Sequence, residues 1–122
     1  MSTTQRGRPP STETRIRRQY QDLLEEIGGG RIDYSADELD MIETAVRLGQ
    51  RIELLGKALA AESGKEKPDP AVLVRVSAEM RASEKEAAMT AGRVRRGLEK
   101  TMTVADKPLT AVRVAGHNGG RR

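Results

Sequence analysis

The sequence predicts an all-α protein: a long antiparallel helical hairpin with a short N-terminal helix and disordered basic tails. Three observations carry that prediction. Through the middle of the 122-residue chain, apolar residues recur at steps of three and four and nowhere alternate as a strand requires. Two interruptions, Gly28-Gly29-Gly30 and the stretch from Ser63-Gly64 to Pro70, divide that middle into three patterned segments. Both ends are basic, with Arg6-Gly7-Arg8-Pro9-Pro10 at the start and Gly116 to Gly120 near the finish.

The first helix is expected from about Thr12 to Ile27, with Ser11 as its N-cap. Ile16, Tyr20, Leu23, Leu24 and Ile27 draw one stripe along it, and the glycine triplet stops it. The second start carries a capping box, Ser35 with Glu38, and a hydrophobic staple of Tyr34 with Leu39. From Ala36 the positions Leu39, Ile42, Val46, Gly49, Ile52, Leu55 and Leu59 keep the helical step until Ser63-Gly64. The charged loop Lys65 to Pro68 breaks the helix. Asp69 then serves as N-cap, and Pro70 occupies the first helical position, where a missing N–H costs nothing. Val72, Leu73, Val76, Met80, Ser83, Ala87, Val94 and Leu98 continue the third helix to about residue 100. Two long helices joined by a short loop make an antiparallel hairpin, and the first helix folds across one end of it.

The expected organisation is one domain in three parts. Residues 1–11 form a flexible basic arm, 12–100 a helical core and oligomerisation domain, and 101–122 a disordered basic tail. The chain has no Phe, Trp or Cys and only two tyrosines, Tyr20 and Tyr34. Aromatic side chains supply much of a small core's buried area, so self-association is the expected remedy. The stripe on the second helix is the candidate oligomer interface: Leu39, Ile42, Val46, Gly49, Ile52, Leu55 and Leu59. Gly49 and Gly56 thin one side of that helix, which suits close approach by another helix, either the third one or a second subunit.

Chemistry is sparse. Without cysteine there are no disulfides and no Cys-based zinc sites. His117 is the single histidine and sits in the C-terminal tail, and Glu25-Glu26 and Glu84 with Glu86 read as solvated helix faces. Gly28-Gly29-Gly30 precedes a helix but lacks the Gly-Lys-Ser/Thr that would cradle phosphate. Neither catalysis, nor a cofactor, nor a metal is expected. No apolar run reaches membrane-spanning length and no apolar leader follows the first arginines, so a cytoplasmic protein without membrane contact is expected.

Charge points instead to nucleic acid. Residues 1–18 carry five arginines against one glutamate, and residues 101–122 four basic residues against one aspartate. The stretch between them has a net charge of −3. Basic ends on a weakly acidic body suit a protein that touches double-stranded DNA or an acidic partner. Arg6, Gly7 and Arg8, followed by two prolines, make a narrow extended segment of the kind that lies in an A·T-rich minor groove. Two helical groups compete with it for the same contact: Arg15, Arg17 and Arg18 on the first helix, and Arg93, Arg95 and Arg96 on the third.

The layout resembles a family. A basic RGRPP opening leads to RRQYQDLLEEI, then to SADELDMIETAVRLGQRIELLGKALAAESG, then to PDPAVLVRVSAEMRASEKEAAM. Together these resemble the small terminase subunits of tailed phages, particularly those of actinobacterial phages and prophages. That family opens its long helix with an acidic Asp-Glu-Leu-like start. Its third helix opens with His-Pro or Asn-Pro, followed by an arginine about five residues on. The matching positions are Asp37-Glu38-Leu39, Asp69-Pro70 and Arg75, and the resemblance spans roughly residues 15 to 98. It departs at Tyr20, where a tryptophan is usual, and in lacking a Leu-Pro-type ending. The resemblance implies a non-catalytic, ring-forming subunit that recognises viral DNA for packaging and hands it to the terminase large subunit. Two readings from other classes stand beside it: an A·T-rich DNA-binding regulator or nucleoid-associated protein, and a structural helical-hairpin adaptor. A regulator built on a helix-turn-helix would need a short second helix and a tight turn, which these lengths do not provide.

Overall fold

The computed structural model describes residues 8–105, and every regular element among them is helical. Helix α1 spans Thr12–Gly28, α2 spans Ala36–Ser63 and α3 spans Pro70–Ala105. Each start is set by the local chemistry read above. Ser11 Oγ accepts the Thr14 N–H at 3.1 Å. Ser35 and Glu38 form a reciprocal box, with Glu38 N–H donating to Ser35 Oγ at 3.2 Å and Ser35 N–H donating to Glu38 Oε1 at 2.8 Å. Asp69 Oδ1 accepts the Ala71 N–H at 2.9 Å. Gly29 ends α1 at φ 56°, a left-handed conformation that a side chain disfavours, and returns its N–H to the Glu25 carbonyl.

The hairpin loop is tied from within. The Glu62 carboxylate, buried at the end of α2, accepts the Asp69 N–H at 2.8 Å and pairs with Lys65 at 2.9 Å. These contacts hold its carboxyl below the usual carboxylate range, Lys65 first and the backbone N–H second.

Helix α1 lies antiparallel to α2 along the loop-distant half of the hairpin. Ile16, Tyr20, Ile42, Ala45, Val46, Val94 and Leu98 close the core there, and Val94 and Leu98 are fully buried. Thr12 at the start of α1 donates its hydroxyl to Glu53 at 2.5 Å, so beyond that level α2 and α3 are the only helices among the described residues. Gly49 permits the α1 crossing, because a methyl group there would stand 2.0 Å from Ile16 Cδ1. Gly56 faces Met80 of α3 instead, where a methyl group would make an ordinary 3.6 Å contact with Met80 Cε. The two glycines of α2 thus serve two different neighbours within one chain.

Two expectations need correction. The Tyr34–Leu39 staple is not what anchors Tyr34. Its ring packs against the core cluster and its hydroxyl donates to the Tyr20 carbonyl of α1, while Leu39 stays 52% exposed. The C-terminal tail does not begin at residue 101, because α3 runs to Ala105. Thr101 and Thr103 turn their hydroxyls back to the Gly97 and Glu99 carbonyls, each at 2.9 Å, and neither glycine nor proline interrupts the stretch. The alanine-rich part of α3 continues unbroken, and Ala87, Ala91 and Gly92 face α1 across a cleft.

Candidate nucleic-acid interface

The nine residues proposed for DNA contact separate into distinct environments. Arg6 and Gly7 lie outside the described residues. Arg8 stands exposed ahead of α1, followed by Pro9 and Pro10. On α1 the three arginines fan out, because each residue turns the helix by about 100°. Arg17 faces α2 and grips Glu43 with both terminal nitrogens, at 2.7 and 3.0 Å. Its Nε also donates to Glu13 at 2.9 Å. A fork-to-fork guanidinium–carboxylate pair of this kind is the strongest surface geometry available to arginine. It raises the Arg17 pKa above its already high value, Glu43 first and Glu13 second, and lowers that of Glu43. Arg17 therefore joins α1 to the hairpin and offers little to an external phosphate.

Arg18, one residue on, is exposed and has no carboxylate within ion-pairing distance among the described residues. Arg15, one turn before Arg18 and only about 60° from it around the helix, is also exposed and reaches the edge of the cleft between α1 and α3.

The basic knot on α3 is likewise splayed. Residues two apart on a helix sit roughly 160° apart around it, so Arg93 and Arg95 leave opposite sides. Arg95 turns to α1 and meets Glu26 at 3.5 Å, with Glu99 at 3.9 Å. Arg96 lays its guanidinium over Gly92, whose missing side chain leaves that space. Arg93 is exposed and has no ion pair among the described residues. The fold thus leaves Arg8, Arg15, Arg18, Arg93 and Arg96 exposed and outside the ion pairs that hold Arg17 and Arg95.

Net charge sharpens this arrangement. Between Thr12 and Ala105 there are sixteen basic and seventeen acidic residues, whereas the flanks hold six basic and one acidic. The helical body is electrically balanced, and the excess positive charge lies before α1 and after α3.

The stripe on α2 offered as an oligomer surface is also divided. Ile42 and Val46 are buried in the core of the single chain, at 6% and 4% exposure. Gly49 is occupied by Ile16. Ile52, Leu55 and Leu59 are partly covered, and Leu39 is exposed. A periodic stripe marks a face that is covered without saying by what, and here α1 and α3 do much of the covering. The exposed large apolar side chains include Leu54 and Val74, at 67% and 68%, in the two-helix part of the hairpin. Their positions fall off the stripe, which is why periodicity alone passes over them.

Among the described residues no group of His, Cys, Asp or Glu side chains is arranged to hold a metal ion, and no buried side-chain nitrogen or oxygen lacks a hydrogen-bond partner. No described helix is long and apolar enough to cross a membrane. Comparison with known proteins gives no match to any family model, curated protein or solved structure.

Proposed function

We propose that this chain is a non-catalytic DNA-recognition subunit of a viral genome-packaging terminase, assembling as a ring that delivers double-stranded DNA to the large subunit. The observation that carries the reading is the division of charge: a balanced helical body whose flanks hold the whole of the net positive charge. Backbone phosphates reward such flanks irrespective of sequence. Arg8 and Arg18 extend the cationic surface onto the exposed start of the described fold. Self-association is supported by the bare two-helix part of the hairpin, with Leu54 and Val74 in solvent. The ring contact is accordingly assigned to that part, together with Leu39, rather than to Ile42 and Val46.

The test combines mass and binding. Light scattering at micromolar concentration should give several times the 13.4 kDa subunit mass. Duplex affinity should fall linearly on a log–log plot against salt, with a slope of roughly 0.9 per phosphate neutralised. Replacing Arg6 and Arg8 with alanine should reduce that slope. A monomer that shows no salt-dependent affinity for duplex DNA would end the proposal.

A further inference from the structure

Between α1 and α3 runs an open cleft of about 600 Å³. Tyr20 and Leu23 of α1 and Ala91 of α3 form its apolar surface, and Asp22, Glu26 and Arg95 edge the end nearer the C-terminus of α3. The cleft exists because α3 presents Ala87, Ala91 and Gly92 to α1, and these small residues leave the gap between the two helices unfilled.

We propose that this cleft is the docking site for the chain's own C-terminal segment, residues 109–115, Leu-Thr-Ala-Val-Arg-Val-Ala. Three features select that occupant. The first is reach. Helix α3 ends at Ala105, fourteen residues past Ala91, which is roughly 21 Å along the helix axis. An extended chain advances about 3.3 Å per residue, so a segment that reverses through residues 106–108 brings Val114 roughly level with Ala91. Asp106-Lys107-Pro108 supplies residues suited to that reversal.

The second feature is pattern. In an extended segment alternate side chains share a side, so Val112 and Val114 together face the apolar surface of Tyr20 and Leu23. Arg113 falls on the other side, and its long stem lets the guanidinium return to the rim.

The third is charge. Residues 106–122 hold four basic residues against Asp106, and the rim they would cross first carries Asp22 and Glu26. Arg95 already meets Glu26, which leaves Asp22 as the carboxylate for Arg113. The inference does not depend on whether the chain binds DNA or assembles into a ring.

The natural chain has no cysteine, so engineered pairs report without interference. Full-length protein carrying Ala91→Cys with Val114→Cys is compared with Met89→Cys with Val114→Cys. Met89 is exposed, two residues from Ala91, on the opposite side of α3, and offers the tail nearly the same tether. Docking predicts an intrachain disulfide forming about tenfold faster with Ala91→Cys, because a seated segment raises the local thiol concentration. Adding Val112→Asp should abolish that difference, and Asp22→Lys should reduce it. Circular dichroism confirms that each variant keeps its helices. Equal rates at the two positions would overturn the proposal. So would a disulfide that links two chains, which would assign the cleft to a second copy.

Discussion

A methyl group on Gly97 would stand 2.4 Å from Glu38 Oε2, so α3 keeps a glycine where it passes the start of α2. The carboxylate cannot simply swing away, because its other oxygen accepts the Ser35 N–H that completes the capping box. Alanine normally gains about 1 kcal/mol over glycine in a helix interior. Losing a helix cap costs about 0.5–2 kcal/mol. Gly97→Ala should therefore fall between a gain of about 0.5 kcal/mol and a loss of about 1 kcal/mol once both effects are combined. In a Glu38→Ala background the same substitution should stabilise. Urea melts of the four proteins close the cycle, and strictly additive effects would refute the coupling.

The two glycines of α2 should respond in opposite directions. Gly49→Ala drives a carbon against Ile16 Cδ1, 2.0 Å away in a packed core, and Thr12 Cγ2 at 3.2 Å blocks a second escape. Overpacking of this kind costs about 1–3 kcal/mol. A methyl group added at Gly56 would meet Met80 Cε at 3.6 Å, an ordinary contact. Gly56→Ala should gain about 0.5–1 kcal/mol from helix propensity. Thermal melts that rank the two variants alike would show that α1 does not approach α2 as described.

These glycines mark where the sequence is legible and where it is not. Ser11, Ser35 with Glu38, and Asp69-Pro70 act on neighbours three residues away or fewer, so each helix start can be read directly from the chain. Gly49 and Gly56 look alike in sequence, and only the folded arrangement decides that one serves α1 and the other α3. Arg17 and Arg18 are adjacent letters with the same charge. A turn of about 100° gives the first a carboxylate fork and the second open solvent. The α2 stripe fails as an interface predictor for the same reason: periodicity reports burial, and Ile42 and Val46 find theirs against α1 and α3.

The pH profile should be flat in the middle and fall at both ends. Glu43, Glu53 and Glu62 all have carboxyls held below their ordinary value of 4.5, by Arg17, Thr12 and Lys65 respectively as the leading partners. A depressed carboxyl pKa contributes stability that is complete above the unfolded value and is lost as pH falls through the folded one. Denaturant midpoints should therefore drop below about pH 4.5. At the other end, burial pushes the Tyr34 phenol from 10.0 up to about 12 and raises that of Tyr20 as well. A raised phenol pKa contributes stability present below pH 10.0 that is lost as pH climbs toward 12. With two tyrosines and no tryptophan, absorbance at 295 nm follows both ionisations directly. Tyrosines of the native protein that titrate at 10.0, as in the unfolded chain, would contradict the buried placement.

The adjacent arginines of α1 should separate stability from DNA binding. Arg17→Ala removes the fork on Glu43 and the contact to Glu13, leaving two carboxylates without their cation. Its urea midpoint should fall, and Glu43 should return toward the ordinary carboxylate range. Duplex affinity, measured where the variant is fully folded, should hardly change. Arg18→Ala removes a solvent-facing cation with no partner among the described residues, so its midpoint should stay at the wild-type value. If the solvent face of α1 contacts DNA, the logarithmic salt slope should drop by roughly one unit in Arg18→Ala alone. If instead the flanking arm carries the contact, that loss should appear on replacing Arg8 and not Arg18. A loss of slope confined to Arg17→Ala would overturn the assignment of that residue to the α1–α2 junction.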